Sequence, residues 1–168
     1  MKKIAILYKN QSPILDAIKY YLSDHEVECL TTPSGMDKFD LVVNLGVGYS
    51  GEAIACHHSL LPAFDSKEPV KDAILAGVKL TGITIYYTKS KKIVAQYPVF
   101  INNETHYDDL KQELTYIEQA LFPLVIQKIL KNEAFEARTL LSSGCANSCG
   151  GKGVNSNKCI GGCSGCSH

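Results

Sequence analysis

The chain has 168 residues, 45% of them hydrophobic, with 17 Lys and Arg balanced by 17 Asp and Glu. That length accommodates one domain of ordinary size plus an appendage, with apolar content sufficient for a core that needs no cross-links. A net charge of zero offers no basic field for nucleic acid or an anionic membrane surface, and no apolar run reaches the length of a membrane span.

The opening MKKIAILYKN is apolar only from Ile4 to Tyr8. This is too short for the hydrophobic region of an export signal and fits a buried strand over 3–8, so the expected location is the cytoplasm. Ser12 is placed to cap a helix with Pro13 at its first position, where a missing N–H costs nothing. Ile14, Ile18, Tyr21 and Leu22 then recur at helical spacing. Residues 27–30 and 40–45 are predicted strands. The second ends in Gly46-Val47-Gly48, a loop at a strand's C-terminal edge, where open α/β sheets bind ligands. Residues 53–56 form another short strand, leading into His57 and His58. Residues 68–76 are predicted helical, stopped by Gly77. Two β-rich runs, 79–88 and 92–100, flank Lys89-Ser90-Lys91 and suit a hairpin. Thr105 and Asp108 make a capping-box pattern. Behind them Leu110, Leu114, Ile117, Leu121 and Leu124 mark a long amphipathic helix, kinked near Pro123 and running to about residue 132. Alternating strands and helices closed by a hairpin predict an α/β body with a mixed sheet and flanking helices.

The texture changes after Leu141. Residues 142–168 hold seven glycines and five of the chain's seven cysteines. Such a segment cannot bury enough apolar surface to fold alone. The expected organisation is therefore a domain over 1–134, a linker over 135–141 and an irregular Cys/Gly-rich tail over 142–168. Cys145, Cys149, Cys159, Cys163 and Cys166 follow the spacing C-x3-C-x9-C-x3-C-x2-C. In a reducing compartment such crowding points to metal ligands or modified thiols before disulfides. Thiolates suit iron–sulfur clusters or zinc. Cys159, Cys163 and Cys166 are spaced to hold three irons of a [4Fe–4S] cluster, with Cys145 or Cys149 as fourth ligand. Zinc is the alternative, although zinc sites more often pair C-x2-C units on both sides. His168 is a further candidate ligand at a terminus that usually frays. The same composition also suits a peptide precursor whose cysteines a modifying enzyme alters, with Gly150-Gly151 and Gly161-Gly162 compatible with cleavage. The blandest reading is a flexible, thiol-bearing tail with no defined ligand.

The segment HHSLLP from His57 to Pro62, then AILAGVKLTGITIYY and IVAQ, resembles the folate-dependent formyltransferase family. That family formylates glycinamide ribonucleotide or initiator methionyl-tRNA. Its pattern is Asn-x-His-Pro-Ser-Leu-Leu-Pro, a helix, a Gly-x-x-x-Thr-Gly strand and a hairpin ending near Ile-x-x-Gln. The stretch YDDLKQELTYIEQALFPLVIQKIL resembles the family's closing helix. The resemblance covers roughly residues 1–134 and implies a Rossmann-type formyltransferase fold. It also implies an Asn and a His that support the developing oxyanion and an Asp that arranges proton transfer. On this chain the His falls on His57, the Asn on Ala55 and the following Pro on His58. The Asp belongs in the loop between Tyr87 and Ile93, which here reads Thr-Lys-Ser-Lys-Lys and has no carboxylate. The histidine often found in the preceding strand is Tyr86. The folate-facing loop shrinks to residues 46–51, so Gly46, Gly48 and Tyr49 are the cofactor-facing candidates and a folate derivative is placed in doubt. The Gly-rich phosphate loop becomes residues 9–12, where a helix N-terminus is left as a weak anion site.

The expectation is a kept fold with an impaired site, in which His57 is vestigial or altered, and a tail that binds metal. A modified-peptide precursor is the alternative, with an unknown protein partner or modifying enzyme. A one-carbon transferase working through His57 is the third reading. His58 reads as a surface substitution and Cys29 as a core thiol. A Cys56–His57 nucleophile is disfavoured because strand neighbours point to opposite faces.

Overall fold

The computed structural model describes residues 1–133. The expected linker at 135–141, the tail at 142–168 and all five tail cysteines lie outside the described residues. Six strands are described, β1 (Lys3–Tyr8), β2 (Glu26–Leu30), β3 (Leu41–Leu45), β4 (Ile54–His57), β5 (Leu80–Tyr87) and β6 (Ile93–Phe100), with α1 (Pro13–Tyr21) after β1, α2 (Pro69–Leu75) after β4 and α3 (Tyr107–Leu130) after β6. They form one mixed sheet in the order β2-β1-β3-β4-β5-β6. Strands β1 to β4 pair in parallel, and β5 and β6 add antiparallel. This is the α/β sheet expected from the sequence. The order reverses around β1, so the loops after β1 and β3 flank the crevice where such sheets take ligands.

Registered neighbours share a face because side chains alternate along each strand. Ile6, Val43 and Ile54 are in register across β1, β3 and β4 and are fully buried with Ile83 and Ile85. Helix α3 packs against α1, α2, β5 and β6. On the opposite face Ala5, Leu7, Met36, Val42 and Ala53 form a smaller cluster, covered by Leu30, Phe39, Val47 and Tyr49.

Three local expectations are corrected. The buried stripe of α1 is Leu15 and Ile18, continued by Leu22, while Tyr21 is exposed; one apolar residue at 14 drew the predicted stripe a position too early. The capping box does not form. The cap is His106, without a side-chain bond, and Thr105 instead exchanges hydrogen bonds with Asn102. Cys29 is half-buried on the edge strand β2 rather than a core thiol. Helix α3 runs through Pro123 to Leu130.

Gly82 shows how tightly the β5–β6 hairpin packs under the loop that follows β4. A Cβ there would run into the Tyr97 carbonyl oxygen and lie 2.9 Å from Leu60 Cδ2. Backbone cannot yield as a flexible side chain can. Gly82→Ala is expected to destabilise the domain by about 1–3 kcal/mol, read as a lower urea midpoint with an unchanged slope.

Candidate functional site

The segment after β4 is held by a saturated hydroxyl. Thr84 is fully buried and registers with His57 on one side and Gln96 on the other. Its Oγ1 donates to the Ser59 carbonyl at 2.7 Å and accepts from the Leu61 N–H at 3.0 Å and from Gln96 Nε2 at 3.0 Å. Gln96 Nε2 also donates to the Leu61 carbonyl at 2.9 Å. One donor and two lone pairs are all a threonine hydroxyl has. The Leu61–Pro62 peptide is cis, and the Ser59 hydroxyl donates to the Ala63 carbonyl at 2.6 Å. These bonds aim the next carbonyl, that of Phe64, back at the end of β4.

His57 meets that carbonyl. Its Nε2 lies 3.0 Å from Phe64 O, and a carbonyl can only accept, so Nε2 carries the proton. A neutral imidazole has one N–H, and here it is committed to the backbone. Ala55 lies on the same face of β4, buried and opposite Tyr86. The 88–92 loop has no acid of its own and is tied down by Glu52, whose Oε1 accepts from the Lys89 N–H at 3.1 Å and the Ser90 N–H at 3.3 Å. Desolvation alone would raise the Glu52 carboxyl, but the hydrogen bonds from Ser90 and Lys89, with the Lys89 charge, hold it below its ordinary value.

The other face of the same segment carries a group that sequence reasoning did not assemble. Cys56, His58 and Glu118 place a sulfur, a ring nitrogen and a carboxylate oxygen within 4.8 Å of one another. His58 Nε2 donates to Glu118 Oε2 at 2.8 Å, with the two side chains only 22% and 16% exposed. The expectation that His58 is a surface substitution is therefore corrected. It turns inward because an acid on α3 is there to receive it. Burial first, and then the Glu118 charge and hydrogen bond, push the Cys56 thiol well above its ordinary value. The signals were present but separated. Positions 56 and 58 share a face at two-residue spacing, and Glu118 interrupts the buried stripe of α3 between Leu114 and Leu121.

These residues line a cavity of about 470 Å³ with His57, Ser66, Lys67, Tyr107 and Lys111. Tyr49 lies elsewhere. It packs on the smaller core cluster and lines a second cavity of about 440 Å³ with Phe39, Glu52 and Tyr87. Gly46 has a left-handed φ of 81°, and Asn44 closes its loop through two 2.9 Å bonds to Val47. The structure thus does not bring Tyr49 and His57 to one cavity.

Comparison with known proteins gives a consistent picture. The family model described as formyl transferase matches residues 43–126. Phosphoribosylglycinamide formyltransferase of Bacillus subtilis is 32% identical over 128 residues, spanning 73% of this chain and 64% of the relative. The chain thus covers just under two thirds of that protein, and only 20% of formyltetrahydrofolate deformylase 2 of Arabidopsis thaliana, with which it is 38% identical over 68 residues. Among solved structures, phosphoribosylglycinamide formyltransferase of Bacillus halodurans superposes with a TM-score of 0.63 at 25% identity, covering 77% of this chain and 95% of that one.

Two outcomes test this geometry. Thr84→Val removes a hydroxyl that serves three partners, leaving the Leu61 N–H without its acceptor and the Ser59 carbonyl without its donor, while Gln96 keeps the Leu61 carbonyl. A loss of about 1–3 kcal/mol per orphaned buried group is expected, with Leu61 losing amide-exchange protection before the distant strand β2. With chelator present, Cys56 is expected to alkylate slowly at neutral pH. Glu118→Gln removes a charge that raises the thiol, so peptide-resolved labelling of Cys56 should speed up while Cys29 is unchanged.

Proposed function

The chain belongs to the formyl transferase family, and from that premise we propose that its folate-dependent transfer site is impaired and that its remaining chemistry resides in a metal-binding cysteine tail. The observation that carries the first half is the hydrogen bond from His57 Nε2 to the Phe64 carbonyl at 3.0 Å. A neutral ring so bonded has no N–H left to offer a developing oxyanion. Its two expected helpers are missing from their places, since position 55 is Ala and residues 88–92 hold no acid. Loss of one oxyanion donor typically lowers kcat about 10²–10³-fold, and loss of the acid compounds it. Glu52 does not substitute, because its carboxylate faces the hairpin backbone and lines the other cavity.

The tail supports the second half by its chemistry. Cys159, Cys163 and Cys166 have the spacing for three irons of a [4Fe–4S] cluster, Cys145 or Cys149 completes the set, and glycines allow the backbone to wrap closely. Zinc is the alternative occupant. Such thiolates persist in a reducing cytoplasm, where we place the protein; no described helix is long and apolar enough to cross a membrane. The balanced charge favours a protein partner over nucleic acid. The same composition also suits a substrate of a cysteine-modifying enzyme, and that reading requires an intact mass from the native host that differs from 18.4 kDa.

Anaerobic purification of the full chain with iron and acid-labile sulfide analysis tests the cluster. About four irons and four sulfides per chain are expected, falling sharply in Cys163→Ser. A chain that carries neither element overturns the assignment.

A further inference from the structure

We propose that Cys56, His58 and Glu118, none of them a tail cysteine, form a divalent-metal site for zinc in the body of the domain, in the cavity that His57 also lines. Three different donor types converge there. Cys56 Sγ and His58 come from one side of the segment ending β4, and Glu118 comes from α3, 60 residues away in sequence from His58. Zinc takes sulfur at about 2.3 Å and nitrogen or carboxylate oxygen at about 2.0–2.2 Å. A tetrahedron of those bonds spaces its ligand atoms about 3.3–3.7 Å apart. The three atoms lie within 4.8 Å of one another, with His58 Nε2 and Glu118 Oε2 at 2.8 Å, in the neighbourhood of that spacing. Metal binding at this site requires the His58–Glu118 hydrogen bond to open. A thiolate, a carboxylate and a neutral imidazole also neutralise a divalent cation.

The fourth position opens onto the cavity of about 470 Å³ that the trio helps to line. Three protein ligands with one open position is the arrangement of zinc sites that bind water or a substrate, whereas structural sites are closed by four. Lys67 and Lys111 line the same cavity and favour an anion as the exchangeable ligand.

One of the three donors, His58, departs from the family pattern. The pattern Asn-x-His-Pro, to which the segment is similar, has proline where His58 stands and leaves the Cys56 position open. A histidine that merely filled a surface would not be expected to meet both a carboxylate and a thiol on the inner side of the sheet. The composition of the trio, borderline-soft sulfur and nitrogen with one carboxylate, selects zinc over magnesium or calcium, which prefer all-oxygen sets.

Cobalt substitution tests the site directly. In the full-length chain with the five tail cysteines changed to serine, Co²⁺ is expected to bind at one ion per chain. The spectrum should show a thiolate-to-cobalt charge-transfer band and the intense visible bands of a tetrahedral ion. Cys56→Ser in that background should abolish the charge-transfer band. His58→Pro should weaken binding more than about tenfold, since losing partners that only orient ligands already costs about 10–100-fold. Absence of the band, or its survival in Cys56→Ser, overturns the proposal. An independent measurement uses the unaltered chain: Zn²⁺ should protect Cys56 from peptide-resolved alkylation, and the protection should disappear in Glu118→Gln. Cys56 labelling at the same rate with and without Zn²⁺ contradicts the site, whatever metal the tail holds.

Discussion

The Thr84 hydroxyl is the point on which the site side of the domain depends. It is buried between β4 and β6 and uses its single donor and both acceptor sites on Ser59, Leu61 and Gln96. Without those bonds the turn through Leu61 and Pro62 would carry buried, unpaired backbone groups, each costing about 1–3 kcal/mol. With them, the loop has one path. That path fixes the Phe64 carbonyl, and the carbonyl fixes the His57 ring. Ser59 and Gln96 of the family pattern are thus accounted for, with Thr84, by the hydrogen bonds that hold the backbone of this turn.

This separates holding the fold from performing transfer. Ser59, Thr84 and Gln96 act on main-chain groups, so they remain necessary whether or not a substrate is ever bound. Under the proposed reading, Asn and Asp at the family's reacting centre would act on a substrate, so Ala55 and the acid-free 88–92 loop in their places leave the bonds of Ser59, Thr84 and Gln96 intact. Ala55 packs at 8% exposure, and Glu52 supplies the hairpin with the acceptor its backbone needs. A chain can lose the transfer chemistry from one face of β4 without loosening the sheet. The opposite face of the same strand carries a different set of donors on an intact scaffold.

Much of the fold was legible because strands buried on both faces read as short apolar runs. All six lie within a residue or two of their predicted places, as at 3–8 and 93–100. The failures share a cause. Thr105 satisfied a local capping pattern, but Asn102 offered its hydroxyl a closer partner in the preceding turn. Ile14 matched a helical stripe that tertiary packing set one residue later, on Leu15. At the site, Ala55 and the acid-free 88–92 loop could be read from sequence, whereas the commitment of His57 Nε2 to a backbone carbonyl could not. The meeting of His58 with Glu118 was likewise hidden, because it depends on α3 crossing the end of β4. A carboxylate on the buried stripe of a helix is the sequence signal that points to such a partner.

The central claim, that the family's fold is kept while its transfer site is not, is tested most directly by calorimetric titration of the full chain with formyltetrahydrofolate. The account predicts no saturable binding and no release of tetrahydrofolate on prolonged incubation. Saturable binding accompanied by loss of the formyl group, and abolished by His57→Ala, would contradict it.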